Sequence, residues 1–512
     1  MASINSVTIV GGGTAGWLTA GLIAAQHSKA SNSVSRLRVT LIESDDVHPI
    51  GVGEGTWPTM RKTLHDIGID ETDIIKHASA TFKQASKFVD WHTSDKQNSY
   101  FHPFSAPQGS AQADITPYWL AQQEAEQYAH AVCFQPELCE LGLAPKPVDT
   151  KAQRFSANYG YHLDAGMFIA LVKKHCIDKL GIEHVVDNVA RVDVDDYGIT
   201  GLHTTNNGVV TADLFIDCSG FSALLIEKAL NVELIDASSI LFADTALVCQ
   251  LPYENSQQAI ACETLSTAQQ AGWIWDIGLQ TRRGTGYVHS SAHQSESEAV
   301  DTFTAYLKVK QPNTVINDDF RKIKFKTGYR TRFWEKNCVA IGLSSGFLEP
   351  LEASSLMLIE QSARLLSAQL PANTQIMPNV ATRFNTTLTY MWERTIEFLK
   401  LHYILSNRQS SFWADNKCHS SIPDRLQGLL EEWKFRPILE SDFPSTYEPF
   451  SAQSYRYILY GMSHQSDLVQ YHRTMDLHSF AQRQFQLNKT LTEQLKQMLP
   501  SHRGLIDEII SH

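Results

Sequence analysis

The chain has 512 residues, of which 43 are Lys or Arg and 55 are Asp or Glu, so its formal net charge is −12 and its isoelectric point is near 5.9. A chain of this length with 43% hydrophobic residues buries a sizeable core, and its acidic balance, without a dense run of Lys and Arg, argues against a nucleic-acid partner. Eight cysteines without a CxxC pair, the lack of an apolar stretch near the ~20 residues that span a bilayer, and an N-terminus without a signal-peptide pattern predict a cytoplasmic protein with no disulfide framework, no metal site and no membrane segment.

The chain opens with a predicted strand, a glycine-rich turn, a helix and a second strand. The residues from Val7 to Val10 are all β-branched, which predicts a buried strand, and Trp17 to Gln26 are rich in Ala and Leu, which predicts a helix. Leu37 to Ile42 predict the next strand, which ends on Glu43. This order is a βαβ unit.

The turn between the first strand and the helix has the spacing Gly11-x-Gly13-x-x-Gly16. Glycines at these positions permit a tight bend and let a pyrophosphate approach the backbone, while the helix N-terminus supplies unpaired N–H donors. A carboxylate at Glu43 can accept hydrogen bonds from a ribose diol, and it disfavours a 2′-phosphate. The pattern therefore predicts FAD or NAD rather than NADP.

Two further predicted strands run into small residues. Leu214 to Ile216 lead into Asp217-Cys-Ser-Gly220, and Cys338 to Ile341 lead into Gly342-Leu-Ser-Ser-Gly346. Such junctions let the backbone approach a second part of a long cofactor, which favours FAD. The second junction also matches the GxSxG elbow of α/β-hydrolases, but an elbow runs directly into a helix, and Pro350 disfavours helix at the residue before it.

The C-terminal third has a different pattern. Met391 to Leu405 and Ser479 to Met498 are amphipathic and predict helices, whereas residues 105–114 and 289–300 are polar and predict loops. His289 and His293 are four residues apart, but the serines around them predict a solvated loop rather than a metal site.

We therefore expect an α/β fold with a FAD-binding, Rossmann-like core of the flavin monooxygenase type, a β-sheet substrate region and a mostly helical C-terminal part. The expected division is a catalytic α/β body over 1–370, with cofactor segments near 5–60, 210–225 and 335–360, and a helical region over 371–512 that covers the substrate side without being an independent domain.

Six segments of the chain resemble the flavin-dependent tryptophan halogenases, in the order that this family has them. The likeness runs over nearly the whole chain, from Val7 to about Trp413. The segments are Val10–Trp17, Gly51–Thr59, Thr81–Phe88, Phe215–Gly220, Gly272–Ile277 and Gly342–Glu352.

The resemblance implies electrophilic halogenation of an aromatic ring. Reduced FAD from a separate reductase, dioxygen and chloride or bromide make hypohalous acid, which passes through the protein to a lysine that matches Lys83. The amine there hydrogen-bonds the acid or carries the halogen as a haloamine. A carboxylate that matches Glu352 polarises the oxidant and stabilises, or deprotonates, the ring intermediate. Backbone amides at Ser354 and Ser355 match those that hold halide.

The resemblance also implies the other site residues. Trp273, Trp275 and Ile277 match a segment that lies beside the flavin and keeps the organic substrate away from it, and His102 and Phe104 match the aromatic substrate pocket. The implied cofactor-binding residues are Gly11, Gly13, Thr14, Ala15, Gly16, Glu43, Gly51, Gly53, Glu54, Ser219, Gly220, Gly342 and Leu351.

Without the resemblance, the same residues have plainer interpretations. Lys83 would lie on the solvated face of a helix, one turn from Lys87, and Glu352 would be a carboxylate that the helix dipole favours at a helix start. Trp273 and Trp275 would be two core aromatics on one side of a strand. His102 and Phe104 stay open between pocket residues and loop residues.

The sequence departs from the family pattern at three places. Gly278 replaces a proline, and Glu352-Ala-Ser-Ser355 replaces Glu-Ser-Thr-Gly, which bears on halide affinity because a non-glycine at Ser355 can alter the turn. The region after Ser445 is shorter than in the enzymes of free tryptophan, so free tryptophan is not the expected substrate.

Three functions stay open at this point. The first is a halogenase of an indole, pyrrole or phenol; the second is a FAD-dependent aromatic monooxygenase; the third is a flavin-binding protein without catalysis. Lys83 and Glu352 argue against the third, because a binding protein needs neither. The expected partners are a small aromatic substrate and a flavin reductase, and assembly as a homodimer is left open.

Overall fold

The computed structural model describes residues 2–27, 37–46, 53–94, 98–122, 126–148, 155–317, 319–468 and 477–512. Gly51, an expected cofactor residue, lies outside the described residues. The chain forms two compact units. The first comprises Met1–Ala80, Leu163–Ala237 and Lys326–Glu393, and the second comprises Thr81–His162, Ser238–Phe325 and Arg394–His512.

The helices carry most of the C-terminal third. In chain order they are α1 (Thr14–His27), α2 (Thr59–Ile67), α3 (Glu71–His77), α4 (Thr116–Leu120), α5 (Tyr128–Val132), α6 (Gln135–Glu140), α7 (Ala165–Leu180), α8 (Glu296–Lys310), α9 (Ser354–Ala368), α10 (Met377–Ile404), α11 (Ser411–Asn416), α12 (Asp424–Trp433), α13 (Ala452–Gly461), α14 (His478–Met498) and α15 (His502–Ser511). The helices expected from Met391 and from Ser479 are therefore confirmed as parts of α10 and α14.

The strands lie before residue 350. In chain order they are β1 (Ser6–Val10), β2 (Arg38–Glu43), β3 (Gly53–Gly55), β4 (Thr81–Lys83), β5 (Ala85–Val89), β6 (Ser99–Pro103), β7 (Gly160–Asp164), β8 (Glu183–Val186), β9 (Val189–Asp195), β10 (Gly198–Thr204), β11 (Val209–Val210), β12 (Leu214–Asp217), β13 (Leu234–Asp236), β14 (Thr245–Pro252), β15 (Glu263–Gln269), β16 (Gly272–Gly278), β17 (Arg282–His289), β18 (Arg321–Lys324), β19 (Gly328–Arg330), β20 (Trp334–Glu335), β21 (Cys338–Ala340) and β22 (Gly346–Phe347).

The first unit is built on a six-stranded sheet with the order β20-β21-β12-β1-β2-β8. Its neighbours pair in parallel, apart from the antiparallel edge pair β20–β21. Val7 and Ile9 of β1 are fully buried, because a central parallel strand is covered on both faces. All four strands expected in this region are present, and their carboxyl ends meet at one edge, where α/β proteins bind ligands.

The second unit is built on a seven-stranded sheet with the order β18-β14-β17-β16-β15-β5-β6. Its neighbours are antiparallel, apart from the parallel pair β5–β15. Every residue of β16 is buried. This sheet confirms the expected α/β class with a separate β-sheet region. The domain boundary expected at residue 370 stays a prediction.

Two local expectations were wrong. Lys83 ends strand β4 and Lys87 lies on β5, so neither is on a helix. The loop expected over 289–300 is shorter, because β17 continues to His289 and α8 begins at Glu296 with a capping box between Ser295 and Glu298. Among the described residues, no helix is both long and apolar enough to cross a membrane.

Candidate active site

The glycine turn of the first unit separates packing glycines from a ligand-facing glycine. A Cβ at Gly11 would overlap the carbonyl oxygen of Cys218, and a Cβ at Gly16 would overlap that of Gly11. Gly11 also has φ +118°, a backbone conformation that favours glycine. Gly13 is different, because a Cβ there would meet no protein atom within 4 Å. Gly13 therefore has the open space on its Cβ side that close approach of a pyrophosphate to the backbone would need.

Glu43 lies directly against the glycine turn. A Cβ at Gly12 would overlap the Glu43 carboxylate, so a glycine is needed at this unassigned position as well. Glu43 Oε2 accepts a hydrogen bond from Trp17 Nε1 at 3.3 Å, and Oε1 contacts His184 Nε2 at 2.8 Å and Lys173 Nζ. Lys173 and His184 orient the Glu43 carboxylate. The sequence alone did not indicate this role, because both residues are far from Glu43 along the chain.

The segment that begins at Gly342 packs against the N-terminus of α1. Thr14 and Ala15 begin this helix, so their N–H groups are free of intrahelical bonds. A Cβ at Gly342, which has φ +83°, would lie 2.6 Å from the Ala15 Cβ. Gly342 therefore allows its segment to approach the glycine turn.

The turn at Ser219 and Gly220 is organised by a buried aspartate. Asp217 Oδ1 accepts hydrogen bonds from the Ser219 backbone N at 3.0 Å and from Ser219 Oγ at 2.6 Å. Its Oδ2 accepts the backbone N–H groups of Leu225 and Ile226, each at 2.8 Å. Gly220 has φ +71°, and a Cβ there would meet no protein atom. Asp217 thus positions the turn at Ser219 and Gly220.

Glu54 is a carboxyl group in an unusual environment. It lies on β3 beside Gly53, and its Oε2 is buried without a hydrogen-bond partner among the described residues. Burial, followed by the negative charge of Asp164, raises the pKa of Glu54 to about 7. A carboxyl group that changes charge near neutral pH is typical of a functional site.

Glu352 lies in a strained turn before α9. Glu352 and the next residue, Ala353, have φ +61° and +55°, and Leu351 is fully buried. Non-glycine residues rarely adopt this left-handed conformation, and they do so most often at functional sites. The Glu352 carbonyl oxygen accepts a hydrogen bond from Trp57 Nε1 at 2.8 Å. Trp57, which had no assigned role, holds this turn.

Ser354 and Ser355 are the first two residues of α9. Their backbone N–H groups lie at a helix N-terminus, where an anion is favoured. A non-glycine residue at Ser355 does not alter the turn. The left-handed residues are Glu352 and Ala353, whereas Ser355 has a helical backbone within α9. A cavity joins this helix start to the cofactor segment, with Gly342, Ser345, Phe347, Ser355, Leu358 and Trp392 among its lining residues.

The GxSxG serine is not a nucleophile. Ser344 is buried, and its Oγ donates to the backbone oxygens of Asp217 at 2.5 Å and Ile341 at 3.2 Å. No helix follows, because the next elements are β22 and a short turn. The hydroxyl is therefore bound to the backbone in the interior, which agrees with the expectation that the chain is not an α/β-hydrolase.

Lys83 is fully buried in the second unit. Its Nζ lies 5.3 Å from the centre of the Phe104 ring. The neighbouring Phe82 donates its backbone N–H to His502 Nε2 at 2.9 Å. The solvated lysine that the residues alone predicted is therefore excluded.

His102 lies near the end of β6, and Phe104 is the first residue after that strand. The His102 ring is buried between aromatic neighbours, with centroids 5.8 Å from Phe398 and 6.1 Å from Tyr457. Phe104 donates its backbone N–H to the Gln84 carbonyl at 3.0 Å, next to Lys83. Phe104 is thus beside the lysine, whereas His102 belongs to an adjoining aromatic cluster.

Trp273, Trp275 and Ile277 alternate along β16 and are buried on one face, as the strand pattern predicted. The two indole centroids are 6.5 Å apart. A Cβ at Gly286, which pairs with Trp275, would overlap the Trp275 ring. Gly286 therefore provides the space in which this ring lies.

One group of potential metal ligands occurs among the described residues. Single ligand atoms of His130, Glu137 and Glu140 lie within 4.8 Å of one another. Lys87 Nζ lies 3.0 Å from Glu140, and Lys496 Nζ lies 2.9 Å from Glu137. The two lysines balance these carboxylates without an ion, so we assign no metal here.

Comparison with known proteins gives a consistent result. The family model described as tryptophan halogenase matches residues 6–476, which extends beyond the likeness to Trp413. The tryptophan 6-halogenase ThaL of Streptomyces albogriseolus is 32% identical over 450 residues, covering 84% of this chain and 82% of ThaL.

Solved structures agree over the whole chain. The crystal structure of a tryptophan halogenase from Shewanella frigidimarina has a TM-score of 0.95 and 43% identity, covering 100% of this chain and 98% of that one. BrvH, a flavin-dependent halogenase from Brevundimonas sp. BAL3, has a TM-score of 0.85 and 30% identity, covering 99% of both chains.

Proposed function

The chain belongs to the tryptophan halogenase family and is a flavin-dependent halogenase, and from this premise we propose that it halogenates an indole ring. The proposal extends to pyrroles and phenols, which share the electron-rich ring that an electrophilic halogen requires. The single observation that carries it is the complete burial of Lys83 beside the Phe104 ring. An amine in that position meets both an oxidant and an aromatic substrate.

The first unit has the features that a bound FAD needs. Gly13 leaves open space beside the turn, Thr14 and Ala15 offer helix N-terminal donors, and Glu43 is a carboxylate for the adenosine ribose. When bound and reduced, FAD supplies hypohalous acid from dioxygen and halide. The N-terminus of α9, with Ser354 and Ser355, is the proposed halide site, because its N–H groups stabilise an anion.

Lys83 and Glu352 divide the work on the oxidant and the ring. The buried Lys83 amine hydrogen-bonds hypohalous acid or, once it has lost its proton, takes the halogen as a haloamine. Glu352 polarises the oxidant and accepts the ring proton once the halogen has added.

The aromatic face of β16 is proposed to keep the substrate ring away from the flavin. Trp273, Trp275 and Ile277 form a continuous buried apolar surface. A substrate kept away from the flavin is halogenated rather than hydroxylated, which separates this function from the monooxygenase alternative.

Relatives named for tryptophan, ThaL among them, support an indole. In this chain, Phe104 and the cluster of His102, Phe398 and Tyr457 offer flat aromatic surfaces on which an indole packs. Delivery of reduced FAD by a separate reductase and a cytoplasmic location belong to the proposal.

The test is a two-component assay. The purified chain is mixed with FAD, NADH, a flavin reductase and bromide or chloride, and is offered indole, tryptophan, a pyrrole and a phenol. We expect haloarene, identified by its isotope pattern, only when reductase and halide are both present. Hydroxylated product would favour the monooxygenase, and rapid oxidation of NADH without the reductase would contradict the two-component assignment.

A further inference from the structure

A buried histidine shares the face of the sheet on which Lys83 lies. Strands β4 and β7 are antiparallel, with Thr81 opposite His162 and Lys83 opposite Gly160. Residues directly opposite each other point to the same face, and so do residues two apart on one strand. His162 and Lys83 are therefore diagonal neighbours on one face, within reach of a long side chain, and both are fully buried.

The hydrogen bonds of His162 leave one ring nitrogen unused. Nε2 lies 2.9 Å from Thr264 Oγ1. Nδ1 is buried and makes no hydrogen bond with any of the residues that the structure describes. A buried polar atom without a partner is costly in a folded protein and calls for an explanation.

The charge state of His162 follows from its surroundings. Burial, then the positive charge of Lys83, then His502, lower its pKa well below 6.5. The imidazole is therefore neutral at physiological pH when Lys83 is charged, and one of its nitrogens carries a lone pair.

The second buried imidazole in this region has no such nitrogen. His502 Nε2 accepts the Phe82 N–H at 2.9 Å, and its Nδ1 contacts the Ile260 carbonyl at 3.1 Å and Cys262 Sγ at 3.4 Å. Burial lowers the pKa of His502 to about 4. His502 thus holds the backbone beside Lys83, and of the two imidazoles His162 has the spare nitrogen.

We propose that His162 is a positioning residue and proton acceptor for Lys83, with Nε2–H donated to Thr264 and Nδ1 facing the amine. This inference rests on the proposed role of Lys83 in halogen transfer. A lysine carries a halogen only as a neutral amine, because the ammonium has no lone pair, and the closed environment leaves no bulk water to take its proton.

A proton moves from Lys83 Nζ to His162 Nδ1, leaving neutral amine and imidazolium. The nitrogen lone pair attacks the halogen of hypohalous acid, so that an N–halogen bond forms while the halogen–oxygen bond breaks. The released hydroxide takes one of the two remaining Nζ protons and leaves as water.

The first test uses the protein without cofactor. Nitrogen-15 spectra of the imidazoles report the tautomer of His162 and the hydrogen bond at Nδ1, compared between the wild-type chain and Lys83→Met. We expect the Nε2–H tautomer in both, and a shift of the Nδ1 signal when the amine is removed. An Nδ1–H tautomer, or an Nδ1 signal indifferent to Lys83→Met, would overturn the proposal.

The second test uses the loaded enzyme with reductase, halide and indole. His162→Gln keeps an amide near Thr264, and His162→Asn places one near Nδ1, but neither accepts a full proton. Each is expected to lower haloarene formation by about 10²-fold at pH 7. The rate of each variant relative to the wild-type rate is expected to recover as pH rises, because Lys83 then loses its proton without the help of His162.

A merely structural role predicts the same loss at every pH, which would contradict the proposal. If the wild-type chain forms no haloarene, the proposed function fails, and the cofactor-free spectra still decide the His162–Lys83 contact. If the His162 variants do not fold, the same spectra on the wild-type chain and Lys83→Met decide it.

Discussion

Trp57 Nε1 donates a 2.8 Å hydrogen bond to the carbonyl oxygen of Glu352. Trp57 lies just after β3, the strand that carries Glu54. The bond therefore joins this segment to the strained turn of Glu352, the proposed catalytic carboxylate. The next helices reinforce the connection, because Thr59 Oγ1 donates to Glu360 Oε2 at 2.9 Å. Within the first unit, the segment before α2 is thus tied to the turn before α9, and α2 itself is tied to α9.

Loss of the Trp57 bond is expected to affect catalysis more than folding. Trp57→Phe keeps an aromatic ring but removes the donor, so we expect about 0.5–1.5 kcal/mol less free energy of unfolding and several-fold slower haloarene formation. Trp334→Phe is the matched control, since Trp334 Nε1 donates to the Lys336 carbonyl at 3.0 Å. Equal activity losses in both variants would contradict a specific role for Trp57.

The glycine turn gives a prediction that separates binding from folding. Gly13→Val is expected to fold normally and lose FAD binding, because its side chain meets only the space of the pyrophosphate. Gly16→Val is expected to destabilise the chain, because its Cβ overlaps the Gly11 carbonyl. FAD titration beside thermal unfolding measures both, with Gly428→Val, another open glycine, as control. FAD affinity that survives Gly13→Val would refute the cofactor site.

The raised pKa of Glu54 predicts that the free energy of unfolding depends on pH. Its pKa is raised to about 7 in the folded chain from an ordinary value of 4.5, so the folded state holds this proton more tightly than the unfolded state. Stability from this group is full below pH 4.5 and is lost as pH rises through 7. Denaturant unfolding at pH 5 and pH 8 measures it, and Glu54→Gln is expected to remove this part of the slope. An unchanged slope would contradict the raised pKa.

Much of the first unit was predictable because its determinants are local. The strand from Val7, the glycine turn and the helix from Trp17 lie within one short stretch, so period and spacing were enough. Lys83 was misplaced on a helix because β4 has only three residues and pairs with β7, far along the chain. Short strands are fixed by tertiary pairing rather than by a period.

The supporting residues were hidden for the same reason. His184 orients Glu43 and Trp57 holds Glu352 across 141 and 295 residues of sequence. His162 and Lys83 share one face of the sheet only through the register of two strands. Such contacts leave no spacing pattern in one sequence, and in Lys83 and Glu352 only the family resemblance indicated a function.

The departure from the family at Gly278 has a local cause. A Cβ there would lie 2.8 Å from Ile260 Cγ2 and 3.1 Å from the Ala261 backbone N, and the Gly278 carbonyl accepts a 2.6 Å hydrogen bond from Thr81 Oγ1. We expect Gly278→Ala to lower the free energy of unfolding by about 1–3 kcal/mol and to give no hydroxylated product. Urea unfolding and product analysis check this, and a stabilised variant would show that the packing argument is wrong.

The last prediction concerns Lys83, whose removal is expected to separate two reactions. Lys83→Met fills the same space without an amine, so transfer of halogen to the ring is expected to fall by about 10²–10⁴-fold, while halide-dependent consumption of reduced FAD continues. Glu352→Gln keeps shape and some hydrogen bonding but cannot accept a ring proton, so a smaller loss is expected. Haloarene formation measured beside FAD reoxidation gives both quantities.

Stability decides between this role and a packing role for the lysine. Burial of an amino group costs free energy, so Lys83→Met is expected to keep or raise the free energy of unfolding even as halogenation is lost. If Lys83 had only a packing role, Lys83→Met would lower the free energy of unfolding. Haloarene formation would then fall only in proportion to the loss of folded protein. An enzyme with Lys83→Met that still halogenates indole at the parent rate and at the same ring position would end the proposed mechanism, because no amine would then be needed to direct the halogen.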